Sequence, residues 1–309
     1  MIKIVYMGTP EFSVGPLREI VKDYDVELVV TQPDKLVGRK KVLTPSKVKE
    51  FALEKGIKVF QPTKIREDYQ EIIDLKPDLI VTCAYGQIIP KELIELPKYG
   101  CINIHASLLP EYRGGAPIHH AVMDGKDKTG ITIMYMNEKM DEGDILYQKD
   151  IDILDTDNTS TMFNKLSILG SEMIRDFIPR LIDGDITPIK QDNSKATYAY
   201  NISKEDEKID FNNTSLNVFN KIRGLSEVPG GYAFLDDKRV KIFGSKIGNS
   251  TKGLPGEIIN IYDDGIGVRT SDSEIILTDI QIEGKTRELV KNYLNGIQDK
   301  SKLIGKKFN

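Results

Sequence analysis

Short apolar runs alternate with amphipathic stretches through roughly the first 185 residues. Apolar, β-rich runs, which predict strands, occupy residues 2–7, 26–30, 79–82, 101–104 and 131–136. Apolar positions recur at helical spacing in residues 12–21, 48–54 and 161–182, and this spacing predicts helices. Thr44-Pro45-Ser46 predicts the start of the second of these helices. Strands that alternate with helices are typical of an α/β domain with a doubly wound, mostly parallel, Rossmann-like sheet.

The pattern changes after residue 190. Residues 191–206 are polar and without periodicity, so they are predicted to be a linker. A helix is predicted near 215–222, and five short strand-like runs follow it, separated by Asp- and Gly-containing turns. That spacing suggests a small antiparallel barrel or sandwich, and five strands suit an OB-like β-barrel. We therefore expect a catalytic domain at 1–190, a linker at 191–206 and a barrel domain at 207–309.

Composition excludes several classes of protein. Hydrophobic residues make up 39% and charged residues 29% of the chain, which is typical of a folded protein rather than a disordered one. No apolar run approaches the length of a membrane-spanning helix, so no membrane partner is expected. The beginning of the chain lacks a basic segment followed by an apolar one, and the two cysteines lack metal-type spacing. A reducing, cytoplasmic location without a structural metal is expected.

The distribution of charge is uneven. The net charge of −4 argues mildly against nucleic-acid binding. However, residues 35–49 contain six basic residues and no acidic one, and the last ten residues contain four lysines and no acid. Either cluster could be an ordinary solvated surface. The alternative is that these basic residues make local contacts with phosphate groups.

The first glycine turn, at Gly8, is a weak motif. It follows a strand and opens a helix, as a dinucleotide site would, but it is not a G-x-G-x-x-G sequence. Pro10 also removes a backbone donor that a phosphate would need. A structural turn is favoured, and NAD is not predicted.

All three histidines lie within sixteen residues, at His105, His119 and His120. Asn103 and His105 share one face if their segment is extended, and the end of such a strand opens onto the ligand crevice of an α/β sheet. An amide donor beside an imidazole suits acyl transfer, because one can bind an oxyanion while the other handles a proton. The alternative is a buried, hydrogen-bonded pair that closes a strand.

A carboxylate commonly orients such a histidine. The polar turn at 140–144 offers Asp141 and Asp144, and spacing alone does not choose between them. An ordinary solvated turn would explain both.

The segment Asn103-Ile-His105-x-Ser-Leu-Leu-Pro110, with Asp141 placed 36 residues after His105, resembles the formyltransferases that use 10-formyltetrahydrofolate. The resemblance implies that Asn103, His105 and Asp141 are catalytic and that no metal is required. It also implies contacts with the folate co-substrate, which fall on Ser107, Leu108, Leu109 and Pro110 and, in the strand-loop at 84–90, on Gln87 and Ile88.

Within this family the chain is most similar to members whose acceptor is initiator methionyl-tRNA. Stretches at 7–12, 31–34, 112–117 and 129–134 carry the similarity, together with a C-terminal barrel. It implies formylation of the methionyl α-amine for translation initiation, tRNA contacts by Arg39, Lys40 and Lys41, and a monomer. The chain contains no tryptophan, although relatives often have one near positions 112 and 228–230, which affects details of tRNA docking.

Three other functions remain open at this point. One is formyl transfer to a small amine, such as an amino-sugar nucleotide, but a small acceptor would explain neither the basic loop nor the barrel. Another is a non-catalytic module that binds folate or RNA. The third is hydrolysis of the same formyl donor to formate. Formyl-transfer assays with different acceptors distinguish all of them.

Overall fold

The computed structural model describes residues 2–38 and 40–309, which separate into two compact units. The first unit comprises Met1–Pro117, Lys128–Asp152 and Phe163–Tyr200, and the second comprises Ile118–Asp127, Ile153–Met162 and Asn201–Asn309. Both units are discontinuous in sequence. The domain limits at 190 and 207 stay predictions.

The strands are β1 Lys3–Gly8, β2 Asp25–Val30, β3 Lys35–Val37, β4 Val42–Thr44, β5 Val59–Phe60, β6 Leu79–Cys83, β7 Cys101–His105, β8 Lys128–Tyr135, β9 Ile145–Asp152, β10 Gly231–Leu235, β11 Lys238–Gly248, β12 Ile258–Ile261, β13 Ile266–Arg269, β14 Glu274–Ile282 and β15 Glu288–Leu289. The helices are α1 Val14–Asp23, α2 Lys47–Glu54, α3 Gln70–Leu75, α4 Lys91–Ile94, α5 Pro117–Met123, α6 Thr159–Asp183, α7 Ser215–Leu225 and α8 Val290–Asn295. Short 3₁₀ turns lie at Glu11–Ser13, Asn193–Lys195 and Lys300–Leu303.

The main sheet of the first unit has seven strands in the order β5-β2-β1-β6-β7-β8-β9. The first five are parallel, and β8 and β9 run antiparallel to their neighbours. This confirms the predicted α/β fold with a mostly parallel sheet. The sequence did not predict β9, because exposed and partly buried positions alternate along this edge strand instead of forming an apolar run.

Complete burial explains why the central strands are continuous apolar runs in the sequence. All five residues of β6 are buried, as are five of the six in β1. Because β1, β6 and β7 are parallel neighbours, their carboxyl ends meet at one edge of the sheet. Strands are added in one direction from β1 to β2 and in the other from β6 onward, and such a switch point is where α/β sheets bind ligands.

The basic segment after β2 is not the loop that its sequence predicts. It contains a two-stranded hairpin of β3 and β4, in which apolar side chains of both strands are exposed. The predicted helix start at Ser46 is present, because Ser46 Oγ accepts a hydrogen bond from the Lys49 amide at 3.1 Å.

The second unit contains a six-stranded antiparallel sheet in the order β10-β11-β14-β13-β12, with β15 paired to β14. Apolar side chains of these strands pack with α7 and α8 into one core. The predicted C-terminal domain of antiparallel strands is thus confirmed. Across the part of the chain that the structure describes, none of the helices combines the length and apolar character that crossing a bilayer requires.

Candidate active site

The amide of Asn103 lies on β7 beside the hydroxyl of Thr82 on β6. Because Thr82 and Asn103 are register partners in the parallel ladder, the Thr82 hydroxyl reaches Oδ1 of Asn103 at 2.8 Å. Within residues 2–38 and 40–309, Nδ2 of Asn103 makes no hydrogen bond. Oδ1 of Asn103 therefore accepts a hydrogen bond from the neighbouring strand, whereas Nδ2 remains able to donate to a ligand.

His105 ends β7 on the same face as Asn103, and its side chain is only 6% exposed. Its Nε2 lies 2.9 Å from the backbone oxygen of Tyr112. A carbonyl oxygen can only accept, so Nε2 carries a proton and Nδ1 is the ring nitrogen that can gain or lose one. Nδ1 is therefore the ring nitrogen that this contact leaves available for proton exchange.

Asp141 faces that nitrogen. Its Oδ2 lies 3.7 Å from Nδ1 of His105 and accepts a hydrogen bond from the Gly114 amide at 2.8 Å. Asp144, the other candidate in this turn, pairs with Tyr135 through its backbone oxygen, and the described residues show no ion pair between Asp144 and His105. Of the two carboxylates that spacing left open, the structure brings Asp141 to the imidazole.

The segment predicted to contact the folate lies directly after β7. Ser107 is fully buried and its hydroxyl donates to the Glu111 backbone oxygen at 2.6 Å, so this side chain holds its own loop. Leu109 is held at both backbone groups, since its amide donates to Thr132 Oγ1 and its oxygen accepts from Gln148 Nε2. Leu108 and Pro110 are partly exposed and remain available to a ligand.

The other predicted folate contacts follow β6. Gln87 accepts from the Ile65 amide at 2.7 Å through Oε1, and Nε2 is within 3.3 Å of the Pro62 backbone oxygen. This side chain therefore braces the turn, whereas Ile88 is 64% exposed and open to a ligand. The structure does not test binding at either residue, so both contacts stay predictions.

Neither cysteine near these strands is suited to act as a nucleophile. Cys83 and Cys101 are free thiols and buried. Burial raises the pKa of Cys83 to about 12, against smaller opposing effects from Ser13 and Tyr6, and burial also raises the pKa of Cys101. Both thiols are protonated near neutral pH, and a protonated thiol is a poor nucleophile.

Lys40 and Lys41, two of the residues predicted to contact tRNA, lie in the turn between β3 and β4. Lys40 and Lys41 are exposed there, and Arg39 lies outside the described residues. Leu36, on β3, is also exposed at 63%. The hairpin thus presents positive charge and apolar surface together, which suits contact with a large anionic ligand.

Sequence reasoning missed four polar side chains that support this crevice. They are Thr82, Arg113, Gln148 and Gln191. Gln191 lies in the segment predicted as a linker, which had no periodicity to analyse. Two of the four residues could have been found in the sequence. Thr82 is a polar residue inside the apolar run of β6, and Arg113 lies in the Tyr-Arg-Gly-Gly stretch at 112–115.

Two family profiles match the chain. The one described as "Formyl transferase" matches residues 13–178, and the one described as "Formyl transferase, C-terminal domain" matches residues 201–298. Among curated proteins, methionyl-tRNA formyltransferase of Bacillus cytotoxicus is 52% identical over 301 residues, which is 96% of each chain. Methionyl-tRNA formyltransferase of Bacillus subtilis is 50% identical over 96% of this chain and 95% of that one.

Solved structures share the fold at low sequence identity. An N-formyltransferase from Helicobacter canadensis, in complex with folinic acid and dTDP-3-aminofucose, is similar with a TM-score of 0.70 at 21% identity, over 90% of this chain and 99% of that one. HypX from Aquifex aeolicus in complex with tetrahydrofolic acid is similar with a TM-score of 0.63 at 18% identity, over 95% of this chain and 47% of that one.

Proposed function

The chain belongs to the methionyl-tRNA formyltransferase family, and on this basis we propose that it transfers the formyl group of 10-formyltetrahydrofolate to the α-amine of initiator methionyl-tRNA. Identity of about half over nearly the full length of both chains supports this acceptor. The product would be N-formylmethionyl-tRNA. Because that product is used in translation initiation, we also propose a cytoplasmic location.

The observation that carries the proposal is the convergence of Asn103, His105 and Asp141 at the end of β7. In the reaction the unprotonated amine attacks the formyl carbon, and the formyl oxygen becomes an oxyanion. The free N–H groups of Asn103 suit that oxyanion, because a fixed donor stabilises charge that appears only in the transition state. The carbon–N10 bond of the folate then breaks as the intermediate collapses.

A proton must leave the attacking nitrogen and one must reach the departing N10. We assign this work to Nδ1 of His105, since the other ring nitrogen is bound to the Tyr112 carbonyl. The Asp141 carboxylate attracts a proton on Nδ1 and limits the orientations of the ring. Because the same nitrogen can accept and then return a proton, one imidazole serves both halves of the reaction.

The folate would lie against the loop that follows β7 and the turn that follows β6. Leu108 and Ile88 offer accessible apolar surface there. The backbone of Leu109 is fixed by Thr132 and Gln148, so the loop can present a defined surface to the donor. These contacts are part of the proposal.

Contact with the tRNA is assigned to the β3–β4 hairpin. Lys40 and Lys41 are exposed, and no acidic residue occurs between 35 and 49. We also assign Arg39 to this surface by sequence. Phosphate contacts of this kind add affinity without reading bases.

An acceptor assay tests the proposal. Purified protein is supplied with 10-formyltetrahydrofolate and, in separate reactions, methionyl-initiator tRNA, an amino-sugar nucleotide or water alone. We expect formylmethionyl-tRNA in the first reaction and no turnover in the others, with the Asn103→Ala protein as the inactive control. Turnover of the sugar nucleotide, release of formate, or tight folate binding without turnover would each replace the proposed function by a different one.

A further inference from the structure

We propose that Gln191 is a positioning residue for Asp141. Its side chain links a buried guanidinium, that of Arg113, to the backbone of the turn that carries the Asp141 carboxylate. The inference rests on the proposed function, because Asp141 must act on His105 for its position to affect the rate.

The amide of Gln191 is bound at both ends. Nε2 donates to the backbone oxygens of Asp141 at 2.8 Å and Gly143 at 2.7 Å. Oε1 accepts from Nε of Arg113 at 3.1 Å and from its Nη2 at 2.8 Å. A guanidinium can only donate and a carbonyl can only accept, so this amide has one possible orientation between them. The Arg113 guanidinium therefore fixes the orientation of the Gln191 amide, so that Nε2 of Gln191 donates to the two backbone oxygens of the turn.

The other end of the link is firmly anchored. Arg113 is 1% exposed, and its Nη2 also donates to Oδ1 of Asn193 at 2.7 Å. Its Nη1 forms an ion pair with Glu142 Oε1 at 3.2 Å, so the charge is compensated by a residue of the same turn. The Arg113 amide and carbonyl pair with Thr197 and Ala199, which fixes the backbone as well.

The turn needs such support, because Asp141 is in the left-handed region with φ of 52°. A non-glycine residue in that region is less stable than in an ordinary conformation, because its Cβ lies too close to the backbone. The two bonds from Gln191 act on the carbonyls of Asp141 and Gly143, on either side of Glu142. The Gly114 amide, next in sequence to Arg113, holds Oδ2 of Asp141. Together these contacts keep that oxygen 3.7 Å from Nδ1 of His105.

Two substitutions at Gln191 distinguish the hydrogen bonds that it donates to the turn from those that it accepts from Arg113. Gln191→Leu removes every hydrogen bond of the amide, whereas Gln191→Glu keeps oxygens for Arg113 but removes both donors to the turn. If holding the turn is what matters, both variants lower kcat by about 10- to 30-fold, the effect of removing two hydrogen bonds, and leave both KM values within about twofold. A Gln191→Glu protein with the kcat of the wild type would overturn the proposal.

A double-mutant cycle tests whether the effect passes through Asp141. Asp141→Asn keeps an acceptor for Gly114 but removes the charge. If Gln191 acts by placing that charge, Gln191→Leu changes kcat by less than about twofold in the Asp141→Asn background, far less than in the wild type. Equal losses in both backgrounds would mean a general structural role and would refute the proposal.

Controls keep the outcomes distinct. Gln70→Leu removes an exposed amide that bonds to Asp74 on α3, and it should leave kcat unchanged. If Gln191→Leu does not fold, the Gln191→Glu protein, which retains its contact with Arg113, carries the test. A wild-type protein that transfers no formyl group contradicts the proposed function, whereas an active wild type with an additive cycle contradicts this inference alone.

Discussion

The Thr82 hydroxyl donates to Oδ1 of Asn103 at 2.8 Å, and this contact between neighbouring strands decides which end of the amide faces the crevice. Thr82→Val keeps the shape of the side chain and removes the bond. We expect kcat to fall by about fivefold, the rate equivalent of about 1 kcal/mol, because the amide then rotates between two orientations. Steady-state kinetics with saturating donor and acceptor measure the change, and an unaltered kcat would mean that β7 alone orients Asn103.

Alanine at Asn103, His105 or Asp141 should each lower kcat by about 10²–10³-fold, the usual effect of removing a transition-state donor. Circular dichroism and the unfolding midpoint of the Asn103→Ala and Asp141→Ala proteins should stay close to those of the wild type, since Asn103 and Asp141 are only partly buried. Single-turnover formyl transfer separates chemistry from product release. Near-normal turnover by the His105→Ala protein would remove His105 from the mechanism.

Gln148→Leu tests the loop that follows β7. Nε2 of Gln148 donates to the Leu109 oxygen at 3.0 Å and to Thr132 Oγ1 at 2.7 Å, so the variant frees the backbone of that loop. We expect KM for 10-formyltetrahydrofolate to rise about fivefold and KM for tRNA to stay constant, because the loop is assigned to the donor. Equal effects on both substrates would argue against this assignment.

The positive charge of the β3–β4 hairpin predicts that KM for tRNA depends on salt concentration. Replacing Lys40 and Lys41 with alanine should raise KM for tRNA and reduce the slope of log KM against log salt by about 0.9 for each phosphate that the variant no longer neutralises. Lys64→Ala is the matched control, since Lys64 is exposed and pairs with Glu67. Kinetics that do not respond to salt in the wild type would contradict the electrostatic assignment.

His119 predicts a dependence of stability on pH. Burial, and to a lesser extent the nearby His120, lowers the pKa of His119 below 6.5 despite its bond to the Val228 oxygen. The unfolded chain then binds this proton more readily than the folded one. The contribution of neutral His119 to the free energy of unfolding is complete above the pKa that this residue has in the unfolded chain. It is lost as the pH falls through the lower pKa that the residue has in the folded protein.

His119→Gln keeps a donor for Val228 and removes the titration. Urea unfolding between about pH 7 and pH 5.5 should therefore show a steeper loss of unfolding free energy in the wild type than in the variant. Parallel pH profiles for the two proteins would show that His119 contributes nothing to this dependence.

The sequence predicted the elements whose burial is periodic. β1 and β6 are recognisable because strands buried on both faces are almost uniformly apolar, and Ser46 is recognisable as a helix start from its type and position. β9 and the β3–β4 hairpin were missed, because edge and exposed strands bear no such pattern.

The sequence by itself determined the fold class, the family and one face of β7, because alternation along a strand places Asn103 and His105 together whatever surrounds them. Only the tertiary structure decided that Asp141, rather than Asp144, meets the imidazole, and that Gln191 reaches across from a segment without periodicity. The periodicity of apolar positions indicates which side of a helix or strand is buried. Hydrogen bonds between polar side chains and distant backbone depend instead on the order of strands and on the conformation of turns, and neither leaves a local trace in the chain.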